Sequence, residues 1–318
     1  MTSIVDKSKN ILILSSADKP EDIETNEQFV HALKAKLGEQ VNLEWVNYHA
    51  IAIEFSSEGT KIYLKDSQKD IASYDFVYFK SIFRHSEMAS IIARYLTRQN
   101  VEFVCKELLE HSPSTKLSQL DRMGTGNLSI PRTVYMTHRE WSSSFEKLTL
   151  MFGEKFIFKA IDAFGGGQNY LVEDKQTFIR ALKENPSVEF TAQEFLENDS
   201  DYRVLILEGV PKLIIRRKRH DETTHLNNTS QGAGATLVAI KDFDNEALSM
   251  ALDAAALLRR DIAGVDVLFE LHTGMPYLLE VNASPQVGSG AFVEEKLTIF
   301  ASYFLEKVGL SRRKDDVV

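Results

Sequence analysis

Cysteine is almost absent from this 318-residue chain: Cys105 stands alone, which excludes an intramolecular disulfide and any cage of cysteine ligands around a metal. Long apolar runs are missing too. The longest, such as Ile11 to Leu14 and Ala254 to Leu258, fall far below the ~18 residues that cross a bilayer. The opening MTSIVDKSKN has no apolar core of a secretory signal, so a soluble, cytoplasmic protein without a membrane partner is expected. There is no basic excess either. Thirty-seven Lys and Arg against 46 Asp and Glu leave a net charge of −9, which argues against nucleic acid as a partner, because phosphates need cations to neutralise them. Several catalytic signatures are also absent: no G-x-x-x-x-G-K-[ST], no H-E-x-x-H and no G-x-S-x-G occurs.

What is present has ordinary globular balance, 43% hydrophobic and 26% charged, and a length suited to two or three domains. The first hundred residues alternate strand and helix. ILILSS (11–16), VNLEWV (41–46), KIYLKD (61–66), YDFVYFK (74–80) and VEFVC (101–105) read as strands. Helical spacing runs from Glu24 to Leu37 and from Glu87 to Arg98. Such alternation predicts an α/β domain with a parallel or mixed sheet, with ligands at the carboxyl ends of its strands. The loop holding Lys80, Arg84 and His85 falls at that edge. A break at HSPST (111–115) opens a second region of helices and strands. The expected division is 1–107, 108–196 and 197–318.

Three segments carry chemistry. In DVLFELHTGMPYLLEVNASP (266–285), a three-residue turn His272-Thr273-Gly274 would set Asp266 opposite Glu280, with Asn282 on the same face. Two carboxylates and an amide oxygen are hard ligands that suit Mg²⁺ or Mn²⁺. A solvated acidic face is the plainer alternative, but the flanking residues are apolar, and a buried carboxylate needs compensation that a metal can give. In KFIFKAIDAFGGGQNYLV (155–172), Lys159 ends an apolar strand and Gly165, Gly166 and Gly167 follow. Glycines let backbone amides wrap a phosphate while the lysine adds a point charge; alone, the triplet is merely a turn. The run RRKRH (216–220) closes a strand that leads into a polar loop, an arrangement that invites an anion.

Taken in order, STKLSQL, IPRTVY, FIFKAIDAFGGG, TAQEFLENDSDYRVLILEG, LIIRRK, NNTSQGAG, GVDVLFE and YLLEVNASP resemble the ATP-grasp superfamily, and most of all its RimK-like carboxylate–amine ligases, over about residues 110–310. The resemblance implies an ATP-grasp fold behind an N-terminal α/β domain, with ATP and Mg²⁺ (or Mn²⁺) as cofactors. It implies that Lys116 and Lys159 bind the ATP phosphates under a flap of Gly165, Gly166 and Gly167. It further implies that Gln193, Glu194, Phe195 and Leu196 form the adenine-binding segment, that Asp201 holds the ribose, and that Asn228 lies in the nucleotide site. Asp266, Glu280 and Asn282 match the metal ligands, and Arg217 matches the residue that steadies an acyl phosphate. Gln168-Asn169 and Gln286 depart from the family, which usually has glycine at both places.

The implied reaction joins a carboxylate to an amine, with an amino acid, peptide or protein tail as substrate. Arg84 and His85 are expected to hold the substrate carboxylate, with Arg203 or Arg216. An ATP-grasp kinase and a non-catalytic nucleotide-binding regulator are the alternatives. A homo-oligomer is compatible with the sequence.

Overall fold

The strand Lys9–Ser15 (β1) is buried along its last five residues on both faces, and a strand apolar on both sides needs cover on both sides. The computed structural model describes residues 8–110, 115–162, 167–218 and 234–310. They fall into two compact units, one of Met1–His111, Arg259–Ile262 and Ala283–Val318, the other of Ser112–Leu258 and Ala263–Asn282.

In the first unit, β1, β2 (Val41–Val46), β5 (Phe76–Ser81) and β6 (Glu102–Val104) form a parallel sheet in the order β2-β1-β5-β6. The sheet is thus purely parallel. Helix α1 (Pro20–Leu37) begins one turn before the expected Glu24, with Pro20 in its first turn and Glu21 and Asp22 behind it. Proline's fixed φ and the two acids both suit a helix N-terminus. A hairpin of β3 (Ile51–Ser56) and β4 (Gly59–Leu64) packs beside the sheet; of these the sequence shows only the second strand. On one face, Leu12, Leu14, Val77 and Phe79 meet Ile92 and Leu96 of α2 (Ser86–Arg98). On the other, Phe76 and Tyr78 meet Phe304 of α8 (Val293–Lys307), with ring centroids 5.3 and 5.5 Å away.

This corrects the expected division. Residues 283–310 do not continue a C-terminal subdomain; α8 supplies cover that the N-terminal sheet needs. Residues 259–262 belong here as well, through a buried Arg260–Glu107 pair at 2.8 Å and the Asp261 carboxylate, which accepts the backbone N–H of Cys105 and Lys106 at 3.0 and 2.8 Å.

The second unit holds two sheets. The four-stranded one runs β7-β10-β8-β9, from β7 (Thr133–Tyr135), β8 (Phe156–Ala160), β9 (Asn169–Val172) and β10 (Phe190–Glu194). It buries Phe156, Phe158 and Phe190 against Phe178 of α6 (Lys175–Glu184) and Trp141. The expected helix from Arg139 to Phe152 is two, α4 (His138–Trp141) and α5 (Phe145–Phe152). Between them Ser142, Ser143 and Ser144 turn their hydroxyls onto the carbonyls of Arg139 and Glu140, competing with the helix ladder.

The five-stranded sheet runs β13-β12-β11-β14-β15. Its strands are β11 (Asp201–Leu207), β12 (Val210–Lys218), β13 (Gly234–Val238), β14 (Ile262–Phe269) and β15 (Pro276–Asn282). Val204, Ile206, Ile214, Val265, Val267, Leu278 and Val281 bury one face under α7 (Asn245–Leu257) and Met123 of α3 (Lys116–Thr125).

Candidate functional site

With alternate residues of the five-stranded sheet committed to α7, the opposite face receives the rest: Asp201 and Arg203 of β11, Arg217 of β12, Asp266 of β14 and Glu280 and Asn282 of β15. Asp201 pairs across to Arg217, Asp266 to Glu280 and Gly264 to Asn282. Arg203 grips Asp266 with two parallel bonds of 2.7 Å. Arg217 donates to Asp201 at 2.6 Å and lies 3.2 Å from Asp266. Asp201, Arg217 and Asp266 are all buried.

Burial alone would push both aspartates toward the neutral acid. At Asp266, Arg203 and Arg217 together overcome it and hold the pKa below the usual carboxylate value. Asp201 bonds to one arginine, Arg217, and feels the charge of Asp266, so burial prevails and its pKa stays raised. At Arg217 the same burial would favour the neutral form, but the two carboxylates win and its pKa is raised. The sequence argument that a buried carboxylate here calls for a metal therefore has a second answer, since two guanidinium groups already supply the compensation.

The expected register is present, but the expected turn is not. Phe269 pairs with Pro276, Glu270 N–H donates to Met275 at 2.9 Å, and four residues remain in the loop, with Gly274 at φ 69°. A β-bulge between Asp266 and Val267 takes up the difference of one residue. Leu279 is the extra residue, lying between the core residues Leu278 and Val281 with Glu280. Strict alternation in the sequence sends Leu279 to the core; the bulge keeps it on the side of Glu280.

The second set of groups comes from the four-stranded sheet. Lys159 of β8 pairs with Thr191 of the neighbouring β10, and its ammonium donates to Gln193 Oε1 at 3.0 Å. Gln193 is buried and in turn donates to Thr133 Oγ1 at 2.8 Å. Lys116, at the start of α3, donates to the carbonyl of Ala160 at 3.5 Å. The pKa of Lys159 falls to about 8, chiefly through burial; Lys116 lowers it further and Glu280 opposes both. Lys116 and Glu280, distant from it in sequence, thus both act on the charge of Lys159 within this unit.

Glu194 caps the end of its strand, where its backbone N–H and its carboxylate both bond to Arg132, at 2.9 and 2.6 Å. Phe195 lies beneath Lys155, and the Leu196 carbonyl accepts from Asn198 at 2.9 Å. Gly167 lies in the turn before β9, and Gln168 follows at φ 51° with its amide bonded to Asn185 at 2.7 Å. Gly165, Gly166 and Asn228 lie outside the described residues. Arg216 alternates away from Arg217, donates to Ser200 and Asp199 at 3.0 Å each, and stacks over Tyr202. Arg84 and His85 belong to the N-terminal unit, on the loop after β5. Arg84 takes φ 61°, uncommon for a side-chain-bearing residue, and reaches Asp18 at 3.4 Å. In the same unit, Lys296 donates to the backbone carbonyl of Gln286.

Asp266, Glu280 and Asn282 offer oxygen donors on adjoining strands, a set whose chemistry fits a hard divalent cation. Asp266 can join it by giving up part of its bond to Arg203.

Residues 115–298 match the family described as the RimK-like ATP-grasp domain. The probable alpha-L-glutamate ligase of Alkalilimnicola ehrlichii is 26% identical over 175 residues, which take in 54% of this chain and 55% of that protein. The chain thus spans about half the length of this curated relative. Among solved structures, the ATP-grasp ligase PsnB complexed with minimal precursor, Mg and ADP superposes with a TM-score of 0.67 at 15% identity, covering 97% of this chain and 99% of that one. D-alanine–D-alanine ligase from Bacillus anthracis, complexed with ATP, gives a TM-score of 0.65 at 14% identity over 95% of this chain and 96% of its own. At these identities the likeness is one of fold. Among the described residues, no helix is long and apolar enough to cross a membrane.

Proposed function

The chain belongs to the RimK-like ATP-grasp domain family, and from that premise we propose that it is an ATP-dependent ligase, which activates a carboxylate as an acyl phosphate and joins it to an amine. The observation that carries the reading is that Lys116 bonds to the carbonyl of Ala160, next to Lys159, and that Lys159 feels the charge of Glu280, the cross-strand partner of Asp266 in the Arg203–Asp266–Arg217 network. Cations for phosphates and oxygen donors for a divalent ion come together there from two sheets of one unit.

Lys116 and Lys159 would bind the triphosphate and lower the repulsion that an attacking carboxylate meets. The segment from Gln193 to Leu196 would hold the adenine and Asp201 the ribose, with Asn228 and Gly165, Gly166 and Gly167 completing the nucleotide site. Asp266, Glu280 and Asn282 would hold Mg²⁺, which when bound neutralises phosphate charge. A carboxylate oxygen attacks the γ-phosphorus, and ADP departs. The amine then attacks the carbonyl, and phosphate leaves carrying that oxygen. Arg217 would steady the anionic oxygen of this step. In the N-terminal unit, Arg84 and His85 are the groups proposed for the substrate carboxylate; Arg203 is proposed to serve the acid from its own sheet. Peptides and amino acids are the substrate class we favour, as in the named relatives, and the demand for ATP agrees with a cytoplasmic setting.

The test is incubation with ATP, Mg²⁺ and a panel of carboxylates, with hydroxylamine in place of the amine. Formation of ADP and a hydroxamate is the expected result. A phosphorylated hydroxyl without hydroxamate would instead make the protein a kinase, and nucleotide binding without ADP a regulator.

A further inference from the structure

Outside the nucleotide site, one group among the described residues gathers ligand atoms suited to a metal: Asp18, His49 and His85, whose donor atoms lie within 4.8 Å of one another. They come from three segments that follow neighbouring parallel strands. Asp18 follows β1, His49 follows β2 and His85 follows β5. The chain leaves β1 for β2 on one side and reaches β5 on the other, so Asp18 and His85 flank the point where strand order reverses, the place at which open parallel sheets bind ligands.

The three side chains are held in place. Asn47 accepts the His49 N–H at 3.1 Å and donates to the Ala17 carbonyl at 2.6 Å, tying the loop after β2 to the one after β1. Ser16 donates to the Phe83 carbonyl at 2.6 Å, tying the loop after β5 to the same segment. His85 stacks on Tyr48 with ring centroids 5.0 Å apart, and meets the edge of His49 at 5.1 Å. His49 Nε2 already lies 3.2 Å from Asp18 Oδ1, close to the ~3.4 Å that separates two ligands each ~2.1 Å from a tetrahedral ion. The Nε2 of His85 is shielded from solvent and has no hydrogen-bond partner. A buried ring nitrogen left so is costly, and the cost points to a ligand.

We propose that Asp18, His49 and His85 form a site for a borderline divalent transition metal of the zinc class, with one coordination position left open. Two imidazoles and one carboxylate select such an ion over Mg²⁺, which prefers oxygen alone. His49 would bind as the tautomer that carries its proton on Nδ1 and leaves Nε2 bare for the ion. Arg84 is no ligand; its part toward a substrate carboxylate stands beside this one, and an acid held there would reach His85 through the ion. The site is independent of the ligase reading, since metal binding is measured without nucleotide or substrate.

Tag-free full-length protein titrated with Co²⁺ tests the inference. One equivalent should give the visible absorption of a tetrahedral nitrogen–oxygen site, and Zn²⁺ should displace it. His49→Ala and Asp18→Asn, both at exposed positions, should weaken Co²⁺ binding at least tenfold while far-ultraviolet dichroism stays that of the parent. Glu280→Gln should leave the absorption unchanged, separating this site from the nucleotide one. Absence of the band, its survival in His49→Ala and Asp18→Asn, or its loss in Glu280→Gln would overturn the proposal.

Discussion

Lys159 shows how a single residue sets conditions for binding. Burial brings its ammonium to a pKa of about 8 in the free protein, whereas a bound triphosphate favours the charged form and raises the value. Below pH 8 the lysine is already charged and affinity for ATP should be flat. As pH rises through 8, binding must take up a proton, and affinity should fall by up to tenfold per pH unit. Calorimetry of ATP binding between pH 6.5 and 9.5 checks this; Lys159→Met should bind weakly and lose the slope, and an equal slope in that variant would assign it to another group. Arg84 is tested by a milder change. A guanidinium fork suits a carboxylate better than a point charge, so Arg84→Lys should raise the KM for the carboxylate about tenfold if a bond of ~1.5–3 kcal/mol is lost. ATP affinity without substrate should not move.

At the scale of elements, the hairpin β14–β15 shows what could be read from sequence and what could not. Alternating apolar residues made both strands legible, and Asp266 does face Glu280. A three-residue turn gives that pairing with one residue too few in the loop, and the bulge at Leu279 restores it. Nothing local distinguishes a bulged leucine from a core one; the signal lies in which of Leu278 and Leu279 packs under α7, a tertiary matter. The Arg203–Asp266–Arg217–Asp201 network was hidden for the same reason, because it joins four residues on three strands. Its members depend on one another. Arg217→Ala would leave Asp201 and Asp266 buried with less positive charge, and loss of one partner of such a network costs ~3–5 kcal/mol. Urea unfolding should show the loss, and adding Asp201→Asn should recover part of it by removing the uncompensated charge.

The whole molecule is organised by a return of the chain. Residues 283–310 leave the charged sheet and come back to the N-terminal unit, where Phe304 is fully buried against Phe76 and Tyr78. Sequence alone could not show this, since an amphipathic helix declares an apolar face but not the surface that covers it. Phe304→Ala should cost ~3–5 kcal/mol. Hydrogen exchange locates the damage: amides of β1 and β5 should exchange faster, while those of β11 and β12 keep their protection. The account as a whole stands on the acyl phosphate. Its most direct measurement starts from a carboxylate that the hydroxylamine panel selects, labelled in both oxygens with ¹⁸O, and follows the phosphate released during turnover by mass spectrometry. One ¹⁸O atom in each phosphate is the predicted result, because the oxygen that attacks the γ-phosphorus leaves with it; phosphate without label would contradict the account.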